Sequence, residues 1–245
     1  MALIKSISGI RGTIGGKPGE GLSPIDVVTF AAAYGTWLKK KGHSSNSIVL
    51  GRDARISGEM VSSLVANTLI GLGWDVLDIG LSTTPTVELA VPWTKAAGGI
   101  IITASHNPAE YNGIKLCLSG ARPIGKESGL LTIERFVAEG SPIDFRSVGK
   151  ERDEDMLSAY VDHLLSLVDL SEIRPLKIVI DAGNGMAGYT APAIFDRLGA
   201  EITPLYFELD GNFPNHEANP IDPKNLVDLQ RAVLGKQADI GLAFD

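Results

Sequence analysis

The sequence predicts an α/β protein organised as two successive units, and three observations carry this. Short apolar runs bounded by turn residues read as strands. They include Gly98-Gly99-Ile100-Ile101-Ile102, which reads as buried on both faces, then Lys177-Ile178-Val179-Ile180-Asp181, and a last run over residues 238–245. Stretches with apolar residues at helical spacing alternate with them. Between the halves, residues 153–168 repeat Leu157, Tyr160, Val161, Leu164, Leu165 and Val168 on one helical face. Gly149-Lys150-Glu151-Arg152 precedes that stretch and Arg174-Pro175 follows it, so it reads as a joint. A length of 245 residues suits one large domain or two ordinary ones.

In order, residues 3–7 can form a first strand, entering a glycine-rich stretch over 13–21. Ser23-Pro24-Ile25-Asp26 opens a helix. Ser23 caps it, Pro24 suits its first turn, Asp26 favours its amino end, and Gly42 stops it. A strand over 47–50, a helix over 59–72 and a strand over 74–79 follow. Thr83-Thr84-Pro85-Thr86 opens the next helix, which Pro92 bends or shortens. After the Gly98–Ile102 strand, Ile114-Lys115-Leu116-Cys117-Leu118 alternates, with Ile114, Leu116 and Leu118 toward the core and Lys115 opposite. Residues 126–139 read as helix. In the second half a strand over 201–207 and a helix marked by Leu226, Leu229, Val233 and Leu234 precede the last strand.

Composition bounds the function. With 44% hydrophobic and 21% charged residues the chain can bury a sizeable core. A net charge of −7 argues against a general nucleic-acid surface, yet a few placed cations can still hold a phosphate. One cysteine, Cys117, forms no internal disulfide and suits a reducing compartment. No run reaches membrane-spanning length, and the start carries no signal-peptide pattern. The expectation is a cytoplasmic protein with neither membrane nor nucleic-acid partner.

Chemistry concentrates in Thr103-Ala104-Ser105-His106-Asn107-Pro108, on a loop at the carboxyl end of a buried strand, where open α/β sheets bind ligands. Ser105 offers a hydroxyl that can attack or carry a phosphoryl group. His106 can move a proton or bond an anion, and Lys115 brings a positive charge to the next strand. Taken alone, Ser-His also fits an ordinary turn, Lys115 a solvated strand lysine, and Gly9-Ile10-Arg11-Gly12 a flexible turn with a surface arginine. Gly183-Asn184-Gly185-Met186-Ala187-Gly188 has the Gly-x-Gly-x-x-Gly spacing, which keeps a nucleotide-binding reading open.

The longer run from Thr103 through Ala109-Glu110-Tyr111-Asn112-Gly113-Ile114 to Lys115 resembles the phosphoserine loop of the α-D-phosphohexomutase family. That family includes phosphoglucomutase/phosphomannomutase and phosphoglucosamine mutase. Ser8-Gly9-Ile10-Arg11-Gly12 resembles its amino-terminal motif, whose arginine faces the active site. Gly51-Arg52-Asp53-Ala54-Arg55-Ile56-Ser57-Gly58 resembles a segment expected to act as scaffolding near the site. The stretch Phe213-Pro214-Asn215-His216-Glu217-Ala218-Asn219-Pro220 is similar to another family segment, with Ala218 where a proline is usual.

The resemblance implies two three-layer α/β domains with mixed, mainly parallel sheets. The first covers 1–150 with the phosphoserine loop. The second, 151–245, starts with an interdomain helix and is cut at the metal-binding loop. Asp245 matches the first of three aspartates that hold Mg²⁺ with an oxygen of the phosphoserine. The chain then reads as an amino-terminal fragment without domains three and four, able to fold but not to turn over substrate. The reaction implied is phosphoryl transfer between the 1- and 6-positions of a hexose phosphate, through phosphorylated Ser105 and a hexose 1,6-bisphosphate. Arg11 and Lys115 would act as acid/base or phosphate contacts, His106 as an orienting partner, and Ser105 with Asp245 as metal ligands. The rivals are a non-catalytic sugar-phosphate or nucleotide-binding module and a serine hydrolase. The latter is disfavoured because the sequence lacks a Gly-x-Ser-x-Gly elbow around Ser105.

Overall fold

Strands and helices alternate through the computed structural model, which describes residues 3–6, 9–140, 147–169 and 173–245. The strands are β1 (Ile4–Ser6), β2 (Gly9–Thr13), β3 (Ser47–Arg52), β4 (Asp75–Leu81), β5 (Gly98–Ile102), β6 (Tyr111–Leu118), β7 (Arg122–Pro123), β8 (Glu151–Asp153), β9 (Lys177–Asp181), β10 (Glu201–Leu205) and β11 (Ile240–Ala243). The helices are α1 (Pro24–Lys41), α2 (Gly58–Gly71), α3 (Thr84–Trp93), α4 (Leu131–Glu139), α5 (Leu157–Ser166), α6 (Ala187–Phe195) and α7 (Val227–Lys236). Contacts divide the chain into two units. The first takes residues 1–53, 57–104 and 110–155, and the second takes 54–56, 105–109 and 156–245.

The first unit is built on one mixed sheet in the order β1-β2-β6-β5-β3-β4-β8, with β7 beside β6. Strands β5, β3, β4 and β8 run parallel, while β6 and β2 are antiparallel to their neighbours. Because side chains alternate along a strand, Ile48, Leu50, Ile100, Ile102, Ile114 and Leu116 share one face. They pack with Phe30, Tyr34 and Leu38 of α1 and Val61, Val65 and Leu69 of α2. The other face receives α3, and two glycines admit it. A Cβ on Gly51 would lie 2.6 Å from Val87, and one on Gly99 would lie 2.7 Å from Val91. The unit is therefore three layers deep.

Local chemistry sets the element ends. Ser23 and Asp26 form a reciprocal capping box at the start of α1, and Gly42 closes it in the left-handed conformation. Two expectations shift. The helix expected over 126–139 begins at Leu131. Residues Lys126–Leu130 form a wider turn instead, with the Leu130 amide donating to the Gly125 carbonyl, and Gly129 packs under Trp37 where a side chain would not fit. The helix expected over 153–168 is the shorter α5. Glu151–Asp153 pair with β4, so their backbone donors and acceptors go to the first sheet. Of the first strand, residue 7 lies outside the described residues.

Cys117 points to the α3 face and is buried. Burial, helped by the Glu88 charge, pushes its thiol up to about 12. The thiolate is the nucleophile, so alkylation by iodoacetamide at pH 8 is expected to be roughly 10³-fold slower in the folded protein than in urea. The same shift gives a stability contribution that is complete below the unfolded thiol's pKa of about 8.5 and lost as pH climbs toward 12. Equal labelling rates in folded and unfolded protein would contradict this.

The second unit holds three parallel strands in the order β10-β9-β11. Ile178, Ile180 and Leu242 face Ala191 and Phe195 of α6. Gly241 points the other way, where a Cβ would lie 2.7 Å from Val233 of α7. Helices cover both faces, and this unit also has three layers. Register aligns Leu205 and Ala243 with Asp181, so all three strands end together. Ligands bind at such carboxyl ends.

Among the described residues, no helix is long and apolar enough to cross a membrane.

Candidate active site

The serine loop leaves β5 through buried Thr103 and Ala104. Ser105 then adopts φ 55°, the left-handed region that a non-glycine residue enters only when its surroundings hold it. Those surroundings are visible within the second unit. Arg55, only 2% exposed, donates from its guanidinium to the carbonyls of Ser105 and Asn107, both at 2.6 Å, and of Pro108 at 2.7 Å. The guanidinium carbon also lies 5.2 Å from the centre of the Phe213 ring. Held this way, the Ser105 hydroxyl donates to Asp245 Oδ2 at 2.8 Å, and His106 Nδ1 stands 3.6 Å from the same oxygen. Serine, histidine and aspartate thus meet, although the serine and the aspartate are 140 positions apart.

Arg11 and Lys115 belong to the first unit. In β2, Arg11 sits opposite Gly113 of β6, two residues before Lys115, so both side chains leave the same face of the sheet. Two glycines make room for them. A Cβ on Gly113 would lie 2.8 Å from the Arg11 Cγ, and one on Gly9 would lie 3.0 Å from the Lys115 Cγ. Glu88 of α3 senses this cation: burial raises its carboxyl, and the Lys115 charge draws it partly back. The sequence-predicted residues therefore form two groups, Ser105-His106-Asp245 in one unit and Arg11-Lys115 in the other.

The residues present also fit a hard cation in part. The Ser105 and Asp245 oxygens face each other, and a phosphate on Ser105 would add more oxygens. Among the described residues, no group of three or more His, Cys, Asp or Glu side chains is placed to hold a metal. Two protein ligands would leave most of an octahedral shell to water and phosphate, and so bind weakly.

One polar pair escaped the sequence reading. Asp181, closing β9 and 1% exposed, accepts from the Gly183 amide at 2.9 Å and lies 3.1 Å from His216 Nε2. The other ring nitrogen is 2.8 Å from the Glu217 carbonyl. Both ring nitrogens of His216 therefore face oxygen atoms, the Asp181 carboxylate on one side and the Glu217 carbonyl on the other. Tyr206 packs edge-on against His216 and donates to Asp228 at 2.7 Å, which pushes its phenol up to about 12. The Asp181 carbonyl accepts from the Phe244 amide at 3.1 Å, next to Asp245. The signal available in the sequence was a carboxylate ending the apolar run of β9.

The family model described as phosphoglucomutase/phosphomannomutase, alpha/beta/alpha domain I, matches residues 3–143, and that for alpha/beta/alpha domain II matches residues 158–245. A phosphomannomutase of Escherichia coli is 41% identical over 239 residues, covering 95% of this chain and 52% of that protein. One from Vibrio cholerae is 35% identical, over 95% of this chain and 51% of its own length. The crystal structure of a phosphoglucomutase/phosphomannomutase family protein from Burkholderia thailandensis superposes with a TM-score of 0.85 at 32% identity, covering 98% of this chain and 52% of that one. The chain spans about half the length of the curated relatives it matches.

Proposed function

Because the chain belongs to the phosphoglucomutase/phosphomannomutase family, we propose that it carries the phosphoserine part of a phosphohexomutase active site. The observation that carries this reading is the Ser105 hydroxyl, presented from a left-handed loop residue and bonded to Asp245. Phosphorylated Ser105 would pass its phosphoryl group to a hydroxyl of a hexose phosphate. The bond from phosphorus to Oγ breaks, a bond to the sugar oxygen forms, and the hydroxyl proton leaves to a base. The resulting 1,6-bisphosphate turns over in the site and returns its other phosphoryl group to Ser105.

This chain's side chains divide the remaining work. Arg11, with its planar fork of donors, suits a phosphate. Lys115 supplies either the proton transfer or a second phosphate contact, and His106 orients the loop side of the site. Ser105 and Asp245 would hold Mg²⁺, which when bound offsets charge on the phosphoryl group. The names of the relatives favour mannose phosphates over glucosamine phosphate as substrate. With only two protein oxygens at the metal position and half the relatives' length, these 245 residues expressed alone are expected to fold without turning over substrate.

Intact mass and peptide mapping test the reading. The full gene product should purify partly phosphorylated, with the phosphate on Ser105. It should interconvert mannose 1-phosphate and mannose 6-phosphate faster than it acts on glucose 1-phosphate or glucosamine 6-phosphate. A non-catalytic sugar-phosphate module would instead bind these compounds with no phosphate on Ser105 and no turnover.

A further inference from the structure

Arginines near phosphoryl-transfer sites are ordinarily expected to grip phosphate. Arg55 is placed differently. Its guanidinium donates to three main-chain carbonyls of one short loop, those of Ser105, Asn107 and Pro108, and the side chain is buried. Three carbonyl dipoles converging on one point repel one another unless a cation sits between them. A guanidinium suits that position, because its rigid fork reaches several acceptors at once, whereas an ammonium is a compact point charge. The sequence helps: Pro108 has no N–H, so turning the Asn107 carbonyl inward strands no donor on the other side of that peptide bond. Segment 54–56 is itself fixed from below. A Cβ on Gly211 would lie 2.6 Å from the Ile56 nitrogen and 2.7 Å from the Ala54 carbonyl oxygen, so only glycine allows that approach. Arg55 therefore stands on an anchored segment and ties down a loop whose serine has a costly backbone conformation.

We propose that Arg55 is a positioning residue for phosphoryl transfer: its guanidinium, by gathering three loop carbonyls, fixes Ser105 in the left-handed conformation that aims its hydroxyl at Asp245. What Ser105 does once positioned rests on the phosphohexomutase reading, and the clamp itself does not. The fork, more than the charge, is the requirement. Arg55→Lys keeps the charge and should not restore function.

The test combines Arg55→Lys and Arg55→Met with two readouts, in this chain and in the full gene product. In wild-type protein, backbone order parameters for residues 105–107 and 109 should be about 0.85, and in Arg55→Lys they should fall below about 0.6 while β9 and β11 stay unchanged. In the full gene product, kcat should drop on the order of 10²-fold with KM within a few-fold, as expected when a reacting group is misplaced by about 1 Å. An Arg55→Lys protein with a rigid loop and normal kcat would overturn the proposal. A rise in KM at unchanged kcat would do so too, because it would make Arg55 a substrate grip. Should both variants fail to fold, the wild-type loop still decides: order parameters below about 0.6 there mean no clamp exists. Absence of phosphate on Ser105 and of mutase activity in the wild type would remove the phosphohexomutase reading, while the order parameters still judge the clamp.

Discussion

Ser105→Ala is expected to reduce mutase turnover in the full gene product by at least about 10⁴-fold, because it removes the oxygen proposed to carry the phosphoryl group between half-reactions. The loss should fall on kcat, with sugar-phosphate binding changed only a few-fold. Folding should hardly be affected. The side chain is half-buried, its hydroxyl donates to an exposed carboxylate, and an exposed hydrogen bond contributes about 1 kcal/mol or less. The measurement is steady-state turnover with a bisphosphate activator present, beside a urea melt. Retained turnover would remove Ser105 from the mechanism. A lost phosphopeptide with retained turnover would mean that its phosphate is incidental.

The second large effect concerns stability. His216→Ala leaves the Asp181 carboxylate buried, accepting from the Gly183 amide but without its histidine contact. Leaving a buried carboxylate short of a hydrogen-bond partner costs about 1–3 kcal/mol, so the second unit should lose a similar amount in urea unfolding. Asp181→Asn should cost less, since an amide oxygen can still accept from Gly183 and no bare charge is left behind. The order of the two variants is the informative outcome. If Asp181→Asn were the more harmful, the carboxylate would have a role beyond pairing with His216. Because the Asp181 carbonyl also receives the Phe244 amide, both variants should loosen the approach to Asp245.

How far these features were legible before the fold was known depends on the range of the interactions involved. The serine loop could be placed because its cause is local: a five-residue apolar strand ends and small and polar residues follow. The cap at Ser23 and the stop at Gly42 were legible for the same reason. Residues 151–153 were not, since nothing nearby reveals that they complete the edge beside β4, and the apolar repeat from Leu157 masked the break. The turn before α4 escaped because Gly129 answers to Trp37, far away in sequence. Arg55 was read as scaffolding from its motif, but its three carbonyl partners come from a loop fifty positions on. Asp181 and His216 are 35 positions apart and lie in segments that looked like a strand end and a turn.

The chain's route has a consequence for how the protein is made. The second unit takes its three-residue and five-residue pieces, Ala54–Ile56 and Ser105–Ala109, from within the stretch that otherwise builds the first. The contact between Ser105 and Asp245 closes a loop of 140 residues, an entropic cost that local structure cannot offset early in folding. The aspartate also leaves the ribosome long after the serine. During synthesis Ser105 thus leaves the ribosome with its loop before the carboxylate that it bonds has been made.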